Sequence, residues 1–451
     1  MAKILISSIG SGNYNIETKT TTYRNANYYL ENSNQDEIVS SSYVYDALYK
    51  LHGFDKLILV GTCGSQWYAL YDHLFTSDSS IKPPVPQDED YMYRLLELFD
   101  KKDKRFEDVS KIREELEPLR TAMGGICVEI VVLKYGLNDD EHLENFGFLS
   151  QIANHVSDGD SLSFDITHSF RSLAMYELLA VNYIKDTQKK NVSLDFVSYG
   201  MLDFARENNN KSPVIDLSVL INLTEWIKAA EEYKRNGTTA LLSKLLENDN
   251  LGLSLSKEEQ KILRRLGGDV ILTHDFKEFR NLIKNCMRVT TERNGILKKN
   301  IVFDFIFSDI AKRFGDCLDD DMLLHAELAK WHFEKKRYIQ AAITIVEATL
   351  DYCTKLAGFS NKTQTRERML NIHSPNSNIG DFCERYNTIR MFRNDLSHAE
   401  RLTSSEIDKL ESCINGFYTT YKNQFKENPE NEEALRNALN GSTYKKVDDI
   451  D

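Results

Sequence analysis

The chain has 451 residues, 41% of them hydrophobic and 28% charged, a balance that excludes collagen-like, mucin-like and wholly disordered classes. Its net charge of −13 excludes a surface that coats nucleic acid indiscriminately, so any contact with RNA or DNA must come from a local basic cluster. No apolar run approaches the roughly 18 residues a membrane span requires. The seven cysteines (Cys63, Cys127, Cys286, Cys317, Cys353, Cys383 and Cys413) never stand as Cys-x-x-Cys, which argues against a disulfide framework and a structural zinc site.

Lys3–Ile9 reads as an apolar strand, too short for a signal-peptide core, so a cytoplasmic protein without membrane contact is expected. Residues 41–51 follow with helical spacing. Lys56–Val60 is a β-run ending at Gly61-Thr62-Cys63-Gly64-Ser65. Ile126–Leu133 and Ser161–Ile166 are further strands, Phe170–Ile184 carries apolar residues at helical spacing, and Val192–Tyr199 alternates like a strand. This alternation predicts a parallel, doubly wound sheet.

Past Pro213 the pattern turns helical. Leu223, Trp226, Ile227, Ala230 and Tyr233 share one face, with Gly237 as the expected stop. Asp319–Lys336, Tyr338–Leu356, Ile379–Phe392 and Ser404–Tyr421 continue the helical pattern. Thr403/Ser404 followed by Glu406 reads as a helix start. Between Lys261 and Lys299 ten bases face four acids, either a solvated helical face or a phosphate-contacting surface. The polar stretch after Lys426 reads as a frayed tail. The expected organisation is an α/β unit at residues 1–217, a helical linker with the basic stretch at 218–318, a helical domain at 319–425 and a polar tail at 426–451.

Three loops follow predicted strands: Gly10-Ser11-Gly12-Asn13-Tyr14, Gly61-Thr62-Cys63-Gly64-Ser65, and Asp165-Ile166-Thr167-His168-Ser169-Phe170-Arg171. In a doubly wound sheet such loops converge at the carboxyl ends of the strands, where ligands bind. Glycines permit close backbone approach, helix N-termini favour anions, and Arg171 offers a forked donor for phosphate. Each loop alone is also what an ordinary turn looks like, and His168 alone could be a helix cap. Tyr14 could stack on a base or pack beneath its loop. Gly10 and Gly12 begin a Gly-x-Gly-x-x-Gly pattern that Asn15 breaks, and no Walker sequence is present, so an NAD enzyme and a P-loop ATPase are not expected.

The run Asp165 to Arg171 resembles the Asp-x-Thr-His-Gly-Phe-Arg signature of CRISPR-associated proteins with a CARF domain, a Rossmann-like sensor of cyclic oligoadenylates. Gly61-Thr62 with Ser65 and Trp67, Pro213 to Leu217, and Glu225-Trp226 with Ala229 add to the resemblance, which covers about residues 1–235. Ser169 stands where the family usually has Gly. The resemblance implies a ligand site formed by Gly10, Ser11, Gly12, Asn13, Tyr14, Gly61, Thr62, Cys63, Gly64, Ser65, Asp165, Thr167, His168, Ser169 and Arg171. It also implies a cyclic oligoadenylate as activator, tetra-adenylate in preference to hexa-adenylate, with no further cofactor and no metal.

In the helical half, Arg393-Asn394-Asp395-Leu396-Ser397-His398 sets Arg and His five apart. On a regular helix that spacing is about 140° around the axis, so the two converge only where the helix is distorted or ending, or where two copies meet. Arg-Asn-x-x-x-His resembles the signature of HEPN ribonucleases, helical domains that act as dimers. Ala326-Glu327, Trp331, Tyr338-Ile339-Gln340-Ala341 and Glu347-Ala348 resemble the helices that precede it.

A CARF-like half followed by a HEPN-like half is the order of type III CRISPR effector ribonucleases. The resemblance implies a homodimer, or a higher oligomer, that cleaves single-stranded RNA without a metal. Arg393, Asn394 and His398 would be the catalytic residues. Imidazole titrates near neutrality and can move the 2′-hydroxyl proton, while Arg393 holds developing phosphate charge. Two other readings stay open: a sensor whose helical half only scaffolds, and a sensor that also degrades its activator. His325 and His332, seven apart, lack an evident third ligand for a metal.

Overall fold

In the computed structural model the described residues are 1–15, 20–23, 25–31, 37–100, 109–168, 171–187, 191–247, 276–291, 301–372, 377–398 and 402–441. The chain divides into two units, Met1–Ile221 and Asn222–Asp451.

The first unit is built on strands β1 (Lys3–Ile9), β2 (Asn13–Asn15), β3 (Thr20–Thr22), β4 (Ala26–Leu30), β5 (Val39–Ser41), β6 (Lys56–Thr62), β7 (Cys127–Leu133), β8 (Ser161–Asp165), β9 (Ser193–Gly200) and β10 (Lys211–Asp216). Eight of them form one sheet in the order β5-β4-β10-β9-β8-β1-β6-β7, while β2 and β3 pair as a separate hairpin. Strands β7, β6, β1, β8 and β9 run parallel. Each needs a crossover long enough to carry a helix, and the helices Val44–Leu51, Trp67–Leu74, Asp139–Ser150 and Arg171–Thr187 lie in the four crossovers.

The central strands are apolar on both faces. Leu5, Leu57 and Leu59 enter one core, and Ile4, Ile6, Ile58 and Val60 enter the other. Such two-sided burial is why these runs read as continuous and not alternating.

The expectation of a parallel sheet needs one correction at its far edge. Strand β10 is antiparallel to β9, β4 runs parallel to β10, and β5 is antiparallel to β4. The connection from Gly200 to Lys211 holds only the short helix Leu202–Glu207, too little for a crossover. Pro213, taken as the edge of the α/β pattern, lies inside β10.

The second unit is helical among its described residues. Helices Asp321–Glu334, Tyr338–Ala357, Ser377–Ser397 and Ser404–Thr420 pack around Trp331, Ile345, Tyr386, Ile389 and Phe417. Gly237 ends the helix Ser218–Asn236 with φ +69, and its N–H bonds the Tyr233 carbonyl at 2.7 Å. A Cβ there would come within 2.2 Å of the Trp331 ring, so glycine serves both the turn and the packing. Thr403 and Glu406 form a complete capping box. Of the basic stretch, Lys277, Arg280, Lys284 and Arg288 lie on the helix Phe276–Thr291, and the remaining bases fall outside the described residues.

The expected frayed tail is corrected over residues 429–441, while 442–451 lie outside the described residues. Pro429–Gly441 is a helix whose Leu435 and Leu439 are fully buried. The Tyr352 hydroxyl donates to Glu432 at 2.5 Å, and Arg368 donates to the Leu439 carbonyl at 2.8 Å. Two leucines four apart supply the apolar stripe that the charge count obscured.

Candidate functional sites

Strand β1 is followed by β6 and β7 on one side and by β8 on the other, so the chain reverses direction across the sheet at β1 and β8. That is the position where an open α/β sheet leaves a crevice. Ser7 lies opposite Asp165 and Ile9 opposite Gly61, which brings all three strand ends level. The loops after them meet closely: a Cβ on Gly10 would sit 2.6 Å from the His168 carbonyl oxygen. Glycine at position 10 is therefore a condition of the two loops touching.

Asp165 organises the third loop. It is fully buried and accepts from the Ser7 hydroxyl at 2.7 Å, the Thr167 hydroxyl at 2.6 Å and the Thr167 N–H at 3.1 Å. Burial raises its carboxyl above the ordinary range while these hydrogen bonds oppose the rise. The Thr167 hydroxyl in turn accepts the Gly200 N–H at 2.7 Å. Asp165 and Thr167 thus fix the turn that presents His168.

His168 packs edge-on against Tyr23 with ring centroids 5.2 Å apart, and beside Tyr43 at 6.3 Å. Burial lowers its pKa to about 4, so the imidazole is neutral at physiological pH, and its Nε2 has no hydrogen-bond partner among the described residues. The Tyr23 hydroxyl donates to the Gly10 carbonyl and ties the aromatic wall to the first loop. Ser169 and Phe170 lie outside the described residues, and nothing is described of the Arg171 side chain beyond its place at the start of the helix Arg171–Thr187.

The second loop is wired to itself. The Ser65 hydroxyl donates to the Ile9 carbonyl at 2.5 Å and accepts the Thr62 N–H at 2.8 Å, and the Gly64 N–H reaches the Thr62 hydroxyl at 3.2 Å. Gly61, Thr62, Cys63, Gly64 and Ser65 are all buried, so they brace the end of β1 from beneath. In the first loop Ser11 is exposed and Gly12 half-buried with φ +65. Asn13 and Tyr14 belong to β2, and their side chains lie outside the described set.

Sequence reading missed Ser7, Ser8, Tyr23, Tyr43, Glu177, Ser198 and Gly200. None lies in a recognisable motif, because their roles depend on partners far along the chain. Glu177 is the sharpest case. It is 1% exposed beneath β1, accepts from the Ser8 hydroxyl, and burial pushes its carboxyl up to about 8.

In the second unit Arg393, Asn394 and His398 occupy the end of the helix Ser377–Ser397. The His398 N–H bonds the carbonyls of Asn394 at 3.0 Å and Asp395 at 3.2 Å, so His398 is tied to the last turn just past the helix end at Ser397. Arg393 lies within the helix and His398 just past its end, a spacing that on a regular helix is about 140°. His398 is exposed, and Arg393 and Asn394 are half-buried. Among the described residues Arg393 makes no ion pair, and its Nε is buried without a partner. His325 and His332 are buried on the helix Asp321–Glu334.

Residues 4–201 match the family model described as the CARF domain of the CRISPR system endoribonuclease Csx1. The carboxyl ends of β1, β6 and β8 lie within that match, so the first unit is similar to a CARF domain. The chain is 30% identical over 420 residues to the CRISPR-associated protein MJ1674 of Methanocaldococcus jannaschii, an alignment covering 89% of this chain and 62% of that protein. It thus spans less than two thirds of that relative's length. The solved structure of Enterococcus italicus Csm6 bound to cyclic hexa-2′-fluoro-hexa-dAMP aligns with 97% of this chain and 99% of its own, at 11% identity and a TM-score of 0.32, a likeness that carries no argument. No helix among the described residues is long and apolar enough to cross a membrane.

Proposed function

We propose that this chain is a signal-gated ribonuclease: a cyclic oligoadenylate binds the crevice at β1 and β8, and single-stranded RNA is cut at Arg393, Asn394 and His398 of a HEPN-type domain at about residues 319–425. The observation that carries this reading is the pairing, at one helix end, of an exposed His398 with a half-buried Arg393 that makes no ion pair among the described residues. An arginine without a counter-ion and an exposed imidazole suit a composite site formed by two copies, each supplying what the other's geometry lacks. RNA brings its own nucleophile. His398 takes or returns the proton, Arg393 neutralises charge growing on the non-bridging oxygens, and Asn394, between them on the helix, orients phosphate or imidazole.

On the sensor side, the accessible Ser11 and Gly12 backbone, the N-terminus of the Arg171–Thr187 helix and the neutral His168 suit a ring of adenylates. Amide groups and Arg171 meet phosphate, and the Tyr23–His168 wall meets base. Two copies would present each loop twice to a symmetric ring, with cyclic tetra-adenylate favoured over hexa-adenylate by resemblance alone. Thr167 spends its hydroxyl on Asp165 and Gly200, which favours a sensing role over cleavage of the activator. The test is fluorescent single-stranded RNA incubated with the purified protein alone and with each cyclic oligoadenylate. Cutting only with an activator is expected, and no cutting under any of them would overturn the reading.

A further inference from the structure

The inward face of the helix Ser377–Ser397 changes character along its length. Ile379, Cys383 and Tyr386 occupy that face and are buried. Arg390 and Arg393 follow at four and seven residues beyond Tyr386, within about 60° of arc, so two cations join that face over its last two turns, beside the buried Ile389. Arg366 lies on the neighbouring helix Lys362–Leu370 and shares with Arg390 and Arg393 the charge environment of the Tyr386 hydroxyl.

None of the three guanidinium groups has an acidic partner among the described residues, and the Nε atom of each is buried without a hydrogen bond. The Tyr386 hydroxyl is likewise buried and unpartnered. Of the acids nearby, two are engaged elsewhere or turned away. Asp381 binds Arg385 and Thr420, Asp395 lies on the far side of the helix, and Glu367 makes no ion pair among the described residues. Three half-buried cations held together without a counter-ion are costly unless an anion completes them.

We propose that Arg366 and Arg390, beside Arg393, form a cradle for the phosphodiester of the RNA strand next to the one cut at Arg393. Arg366 and Arg390 are positioning residues, and the inference rests on the helix end being the cleavage site. On the helix Arg390 lies between Arg393 and His398 in angle, about 60° from one and 80° from the other. A phosphate on Arg390 thus keeps the strand on the arc that leads to His398. Guanidinium forks donate to two non-bridging oxygens at a time. The chemistry selects a nucleic-acid backbone and is indifferent to base identity.

The experiment measures binding of fluorescein-labelled single-stranded poly-U RNA by anisotropy, with activator present, to the full chain carrying His398→Ala so that no strand is cut. Arg366→Gln and Arg390→Gln are each expected to weaken binding about tenfold and to reduce the slope of log affinity against log salt by about 0.7. Arg390→Lys should restore the slope while recovering only part of the affinity, a pattern that loss of folding cannot produce. With His398 intact, the Gln variants should raise KM more than they lower kcat.

Gln variants that bind RNA with unchanged affinity and salt slope would overturn the cradle, even in a protein that cleaves RNA. A wild type that never cleaves RNA, yet loses tenfold in binding on Arg390→Gln, would overturn the ribonuclease reading and leave the cradle standing. If Arg366→Gln does not fold, Arg390→Gln and Arg390→Lys decide the question alone.

Discussion

Thr167 is joined to Asp165 twice, its hydroxyl at 2.6 Å and its N–H at 3.1 Å both reaching one oxygen of the buried carboxylate. Because Asp165 also takes the Ser7 hydroxyl from β1, the pair locks the crevice between two strands that are 158 residues apart in sequence. Substitution of Asp165 by Ala leaves buried donors unsatisfied and should cost about 1–3 kcal/mol of stability in the sensor unit. It should also weaken activator binding without contact with the ligand. Chemical denaturation and calorimetric titration measure the two effects, and a variant as stable as the wild type would refute the locking role.

Glu177 sets a pH dependence with a definite sign. Its folded pKa of about 8 lies above the ordinary 4.5, so the native state holds a proton that the unfolded state has lost. Stability from this group is full below about pH 4.5 and declines as pH rises toward 8, by at most about 1.4 kcal/mol per pH unit. Glu177→Gln keeps an acceptor for Ser8 and should flatten that decline, making the variant the more stable protein at pH 8. Parallel melts from pH 5 to 9 that show the same slope in both proteins would count against a protonated Glu177.

His168, held neutral by burial, should contribute to activator binding without titrating near pH 6.5. His168→Ala is expected to weaken binding by the same factor at pH 5.5 and pH 8. A penalty that grows as pH falls toward 5.5 would mean that the imidazolium is the binding form.

His398→Ala should lower RNA cleavage by roughly 100- to 10,000-fold, the usual contribution of a positioned acid–base group, while activator affinity stays unchanged. Cleavage by the wild type should persist in EDTA and leave a cyclic phosphate or the 3′-phosphate it opens to. Near-full activity in the variant would make His398 a bystander. Loss of activity in EDTA with recovery in magnesium would replace the mechanism.

Arg171→Ala should raise the activator concentration needed for RNA cleavage without changing the rate at saturation, because coupling between the sites cannot exceed the activator's preference for the competent state. A hundredfold preference corresponds to about 2.7 kcal/mol. Dose-response curves for the two proteins that coincide would remove Arg171 from the sensor.

What the sequence determined by itself is whatever depends on neighbours in the chain. The apolar runs Lys3–Ile9 and Ser161–Asp165, the stop at Gly237 and the Thr403–Glu406 cap all follow from periodicity and backbone preference over a few residues. The two motifs were legible for the same reason, each being a single short run. What lay beyond it is what distant segments settle together. The antiparallel edge strands depend on which partner strand is free. The terminal helix exists because Leu435 and Leu439 find a core made by other helices. Ser65 became a brace because the carbonyl of Ile9, 56 residues earlier, lies within reach of its hydroxyl. Arg366 gains meaning only beside Arg390 and Arg393, since a shared charge environment is a property of folded space, and no spacing along the chain encodes it.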